Sequence, residues 1–197
     1  MHRAWRAFRR AGEITPQTPT ARAFHRFGRG SLLAFPQGSL FGEGAIEIGE
    51  DTLVGEQVSI TAGLVPGQDL TGFIVLKVGD RCVIGRGSHI VAHECVEIGD
   101  DVWTGPNIYI TDQNHGYQDP DTPIGKQLPV NRAVSIGAGS WLGAGVIVLP
   151  GTTIGRNVVI AAGSVVRGTI PDHCVVAGVP AKVVRELTKA GWQPSRG

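Results

Sequence analysis

Stepping by six from Ile136 gives Ile136, Leu142, Val148, Ile154, Ile160 and Val166, all aliphatic. The same stride runs through Ile98, Thr104 and Ile110, through Val78, Ile84 and Ile90, and through Ile48, Val54 and Ile60. Fourteen of these fifteen positions are Ile, Val or Leu. A fixed six-residue period is the signature of a parallel β-helix, because each repeat unit buries its apolar face only by stacking on its neighbours. Glycine follows nine of the ten first and second members of the triplets, at 49, 55, 79, 85, 99, 105, 137, 143 and 155, and avoids the third, where Thr61, Val91, Thr111, Leu149 and Arg167 stand. Six residues therefore make one side and eighteen one coil: a triangle of three short strands and three turns. The count gives about five coils in an all-β prism, stacked at the ordinary strand spacing of ~4.8 Å. The glycines mark tight corners, where a Cβ would collide or where φ is positive. An ordinary β-sandwich would need two-residue alternation instead.

The repeat bounds the organisation. Residues 1–44 form an N-terminal cap, partly helical and basic. Residues 45–180 form the β-helix, interrupted by an inserted loop at 111–133. Residues 181–197 form a short C-terminal helix, over Ala181 to Ala190, and a tail. Within the cap, "FHRFGRGSLLAFPQG" supplies a first, irregular coil. The net charge of +1 gives no overall drive toward nucleic acid, but it hides an asymmetry: residues 1–30 hold seven arginines and one acid, so the rest of the chain carries a net −5. On a helix, Ala4, Trp5 and Phe8, with Ala11 or Gly12, share an apolar side ringed by arginines. Residues 1–12 thus read either as a cap packed on the first rung or as a peripheral contact with an anionic membrane. Three scattered cysteines, Cys82, Cys95 and Cys174, without a CxxC pair, read as reduced thiols of a cytoplasmic protein. The basic N-terminus is followed by no apolar h-region, and no apolar run is long enough to span a bilayer.

The interruption "ITDQNHGYQDPDTPIGKQLP" is too long for a passive connection in so compact a repeat. It holds His115, whose ordinary pKa of ~6.5 suits general acid–base work near neutral pH. No Walker loop and no GxGxxG follows a strand–helix pattern.

Together, the (I/V/L)-G-x4 repeat, the "NHGY" insertion and the terminal "AGSVVRGTIPDHCVVAGVPAKVVREL" resemble the hexapeptide-repeat acyltransferases, chiefly the galactoside and maltose O-acetyltransferase type, over roughly residues 45–187. The resemblance implies a left-handed coil, against the general handedness preference. It also implies a homotrimer with each active site between neighbouring subunits, and acetyl-CoA as the acyl donor, with no metal. It implies catalysis by His115, placed after Pro106-Asn107 of the preceding coil, with direct transfer in a ternary complex to a sugar or glycan hydroxyl. Ala144, Ala162 and Gly163 match positions that give backbone contacts to the pantetheine arm. Arg167, Lys182 and Arg185 are the cations expected near its phosphates. Asp112, Asn114 and Tyr117 are candidates for orienting the imidazole or binding acceptor hydroxyls, or else are turn residues. Trp141 is either a pocket wall or a packed aromatic or trimer contact, and Trp103, at the same point one coil earlier, reads as structural. The pattern is broken at Gly85, where galactoside-type relatives carry an asparagine that contacts substrate and acyl group; Ser88 or His89 are possible replacements. His89 and His93, one coil earlier than His115, are placed to approach it. Two other readings are a non-catalytic trimeric scaffold and a zinc enzyme of the carbonic-anhydrase kind, which would need His89, His93 and His115 to converge.

Overall fold

The computed structural model describes residues 2–195. Three parallel sheets run the length of a prism. The first face stacks Arg26–Phe27, Ile46–Ile48, Leu76–Val78, Val96–Ile98, Val134–Ile136, Thr153–Ile154 and Thr169–Ile170. The second begins at Leu32–Leu33 and passes through Leu53–Val54, Val83–Ile84, Trp103–Thr104, Trp141–Leu142 and Val159–Ile160 to Cys174–Gly178. The third runs from Leu40–Phe41 through Ser59–Ala62, His89–Ala92, Tyr109–Thr111 and Ile147–Val148 to Val165–Val166. The fifteen six-step positions all point inward and are buried, Thr104 included. They stack in register, as in Ile48, Val78, Ile98, Ile136 and Ile154 down the first face. Each buried aliphatic side chain contributes about 1.5–3 kcal/mol.

The expected five coils are the central ones. A first coil at 26–41 and a partial last one through Ile170 and Val176 extend the stack at both ends. The expected C-terminal helix is absent: Ala181–Thr188 is a strand antiparallel to Cys174–Gly178, and Gly191–Pro194 pairs on its far side. The spacing of Val183, Val184 and Leu187 is compatible with one face of a helix as well as with a strand. The outer edge of Cys174–Gly178 offers unpaired N–H and C=O groups, however, and β-branched Val183 and Val184 fit a strand that satisfies them. Ala181 and Val183 are half-buried while Lys182 and Val184 face out, so the segment alternates with the period of two that a strand requires.

The corner glycines have a steric cause. None of the nine that follow a six-step position has positive φ; that conformation falls two residues later, at Asp51, Gln57, Arg81, Gly87, Asp101, Asn107, Gly139, Gly145 and Asn157. A Cβ at Gly85 would instead overlap the carbonyl of Gly105 in the next coil, and one at Gly137 the carbonyl of Gly155.

Helix α1, His2–Gly12, lies outside the prism at its N-terminal end. Phe8 meets Phe35 edge-on, with ring centroids 5.5 Å apart, and Gly12 abuts the same ring. Ile14 bridges to Leu33. Among the described residues no helix is long and apolar enough to cross a membrane. All three cysteines are free; Cys82 and Cys174 are buried, and burial pushes their thiols up.

Candidate active site

Two insertions leave the prism, both at the corner between the third and first faces. The one over 112–133 was expected. Its root is closed by a short antiparallel ribbon, Gln113–Asn114 against Val130–Asn131, with Gln113 Nε2 donating to Asn131 Oδ1 at 2.9 Å. The other, over 63–75, was not read from the sequence.

His115 follows the ribbon and is exposed. It lines a cleft of about 220 Å³ with Asn114, Tyr117, Gln118, Val130, Arg132 and Pro150. Two sequence candidates, Asn114 and Tyr117, therefore do gather at His115. Arg132 and Pro150 join them unexpectedly, because the return of the flap and the corner of the next coil come together only in three dimensions.

Asp112 does not reach this cleft, which corrects its assignment as an acceptor-binding residue. Its side chain is fully buried. Its carboxylate accepts the backbone N–H groups of His93 (2.9 Å), Glu94 (2.7 Å) and Cys95 (2.8 Å) and lies 3.3 Å from His93 Nδ1. Burial pushes the carboxyl up, but the His93 ring and the three N–H groups outweigh it and hold the pKa below the usual carboxylate range. The Asp112 carbonyl also accepts the N–H of Arg132 at 2.7 Å. One residue thus fastens both roots of the flap to the preceding coil, which fixes where His115 emerges.

The histidines of the earlier coil have other tasks. His93 is turned toward Asp112, and His89 lies on the third face in register with Ser59 and Tyr109. Among the described residues no three His, Cys, Asp or Glu side chains gather as a metal site. At the Gly85 corner Ser88 is buried and its hydroxyl donates to the Gly85 carbonyl at 2.6 Å, so it does not replace an asparagine side chain facing substrate. An asparagine at 85 would set its Cβ on the carbonyl of Gly105, so the backbone at that corner would have to shift to admit it.

The remaining candidates lie elsewhere. Ala144, Ala162 and Gly163 are exposed along the corner between the second and third faces. Arg167 is exposed at the corner that carries His115, beyond the sixth coil, and Lys182 and Arg185 are exposed on the C-terminal strand. Trp141 stands outward in the second face, in register with Trp103 and Val159. Within one chain, then, His115 and the Ala144–Gly163 edge occupy opposite edges of the third face, and Trp141 is on a different face from either.

Two family models match: the bacterial transferase hexapeptide (six repeats) over residues 133–168, and the hexapeptide repeat of succinyl-transferase over residues 75–112. A protein of Escherichia coli strain K12 named as a lipopolysaccharide biosynthesis O-acetyl transferase, WbbJ, is 37% identical over 172 residues, covering 84% of this chain and 82% of the relative. The chain belongs to the hexapeptide-repeat acyltransferases. Galactoside O-acetyltransferase of E. coli K12 is 35% identical over 125 residues, 58% of each chain. Among solved structures, a point variant of the N-acyltransferase AntD of Bacillus cereus, complexed with dTDP and coenzyme A, matches with a TM-score of 0.74 at 17% identity, over 91% of this chain and 92% of that one. PerB of Caulobacter crescentus, complexed with CoA and GDP-perosamine, matches with a TM-score of 0.54 at 23% identity, over 78% of this chain and 56% of that one. The prism is the left-handed parallel β-helix of this family, and this acyltransferase is an acetyltransferase.

Proposed function

We propose that this acetyltransferase moves the acetyl group of acetyl-CoA to a hydroxyl of a sugar or glycan, in sites formed between copies of a homotrimer, with His115 as general base. One observation carries the reading: the exposed imidazole sits in a cleft at one edge of the third face, while the small-residue edge of Ala144, Ala162 and Gly163 lies at the other. A site that needs both is completed when a neighbour's edge comes up to the flap. The second face supports such packing. Its outward column reads Leu32, Leu53, Val83, Trp103, Trp141, Val159 and Val175 in register, with both tryptophans about half exposed. Apolar side chains set in line along a whole face mark an interaction surface.

His115 takes the proton from the acceptor hydroxyl as its oxygen attacks the thioester carbonyl. The tetrahedral intermediate then expels the CoA thiolate, which takes that proton back from the imidazolium. Asn114, Tyr117 and Arg132 border the acceptor side. Arg167, Lys182 and Arg185, at the C-terminal end, are the cations available to the phosphates of CoA. The names of the O-acetyltransferase relatives support an oxygen acceptor. Three free cysteines support a reducing, cytoplasmic location.

The test is release of free thiol from acetyl-CoA across a panel of free sugars, nucleotide sugars and glycans, with His115→Ala alongside. At least one sugar should support turnover, and the variant should lose about 10²–10⁴-fold in kcat. Turnover unchanged by His115→Ala would remove the histidine from the mechanism, and no thiol release with any acceptor would leave a trimeric scaffold.

A further inference from the structure

Helix α1 is not absorbed by the catalytic reading. It carries Arg3, Arg6, Arg9 and Arg10 and no acid. Of these, Arg9 is occupied by Glu56 across the corner of the second coil. Arg3, Arg6 and Arg10 line one side of the helix together with Ala7 and are exposed. Arg6 stands three and four residues from Arg3 and Arg10, a spacing at which like charges repel along a helix. Trp5 and Phe8 stack on each other at 5.6 Å and are each 56% exposed, so the contact with Phe35 leaves most of the aromatic side uncovered. Eleven residues with this charge make a marginal helix in water. A surface that neutralises the arginines and receives the aromatics removes both costs.

We infer that α1 docks this enzyme on an anionic phospholipid surface, with Arg3, Arg6 and Arg10 meeting lipid phosphates and Trp5 at head-group depth. The charge distribution makes the contact directional. Residues 1–30 are net basic and the remainder net acidic, so an anionic membrane attracts one end of the prism and repels the rest. Arg3, Arg6 and Arg10 form one side of α1 and the exposed Trp5 and Phe8 the other, the two-sided pattern of a helix lying in a head-group layer, which favours lipid over nucleic-acid phosphate as the partner. In a threefold assembly, symmetry sets three copies of α1 at one end, and their binding adds as avidity. That gain rests on the proposed trimer; the docking does not.

The experiment is co-sedimentation of the full chain with vesicles of phosphatidylcholine alone and of phosphatidylcholine with about 30% phosphatidylglycerol, at low and high salt. Binding should require the anionic lipid and fall as salt rises. The triple variant Arg3→Glu/Arg6→Glu/Arg10→Glu should lower partitioning on the order of 100-fold, and Trp5→Ala by a smaller factor. Both variants should retain thiol-release activity on a soluble acceptor, which separates loss of docking from loss of the enzyme. Equal binding to neutral vesicles, no binding by folded wild-type protein, unchanged binding by the triple variant, or retention by duplex DNA in preference to anionic vesicles would each overturn the inference.

Discussion

The first and second faces are built from the same inward column and differ in what they turn outward. On the first face the outward residues are Arg26, Glu47, Lys77, Glu97, Ser135, Thr153 and Thr169, with Lys77 and Glu97 3.8 Å apart. At the same rungs the second face presents leucines, valines and two tryptophans. The prism does not need this difference, because its core is complete without either outer column. In the proposed trimer this asymmetry has a use: the first face meets water and the second meets a neighbouring chain.

The most severe way to break the comparison is to give the second face the character of the first. Trp103→Glu with Trp141→Glu should leave far-UV circular dichroism intact while light scattering falls from three chains to one and turnover drops by ~100-fold or more, since buried interface aromatics carry much of an association energy. A double variant that stays trimeric would move the interface to another face.

Next in size is the corner that roots the flap between the third and first faces. Asp112→Asn weakens the charge-assisted bonds to the 93–95 backbone and should cost about 1.5–3 kcal/mol in denaturant unfolding at pH 7. The sign with pH follows from the lowered pKa. The stabilisation by the wild-type carboxylate is fully present above its unfolded value of ~3.9 and is lost as pH falls through the depressed folded value. The gap between wild type and Asp112→Asn should accordingly narrow in that acid range and stay constant above it.

A smaller effect is expected at the corner shared by the second and third faces. Gly85→Ala forces a Cβ onto the Gly105 carbonyl and should lower stability by about 1–3 kcal/mol by thermal melting. The smallest belongs to the first face, where exchanging the charges with Lys77→Glu and Glu97→Lys should change neither assembly nor stability beyond ~0.5 kcal/mol.

The core was legible in the sequence because a six-residue stride that is aliphatic at fourteen of fifteen positions leaves few ways to bury them. The reason for the corner glycines was not, since collision and positive φ predict the same residue until the next coil is in place. The two insertions show how phase carries information. The 112–133 flap stood out because it is a long, polar, proline-broken stretch between Ile110 and Ile136, which are also out of step with a period of six. Ile60 and Val78 are a whole coil apart, so the 63–75 loop kept the beat and stayed hidden. His115 stood out as a histidine at the start of a polar break. Asp112, three residues earlier, gave no local sign that its partners were the N–H groups of residues 93–95. Near the C-terminus the apolar spacing of 183–187 fitted a helix as well as a strand, and the unpaired edge beside it decided between them.

Two of the three corners keep a constant length through the central coils, as at 49–52, 79–82 and 99–102 or at 55–58, 85–88 and 105–108, while the third ranges from the short link at 93–95 to the flap at 112–133. Length variation is thereby channelled to one seam of the molecule. Descendants of this chain can lengthen, shorten or rewrite the segments there without re-registering a single rung, so the surface around His115 is free to diverge while the scaffold stays the same.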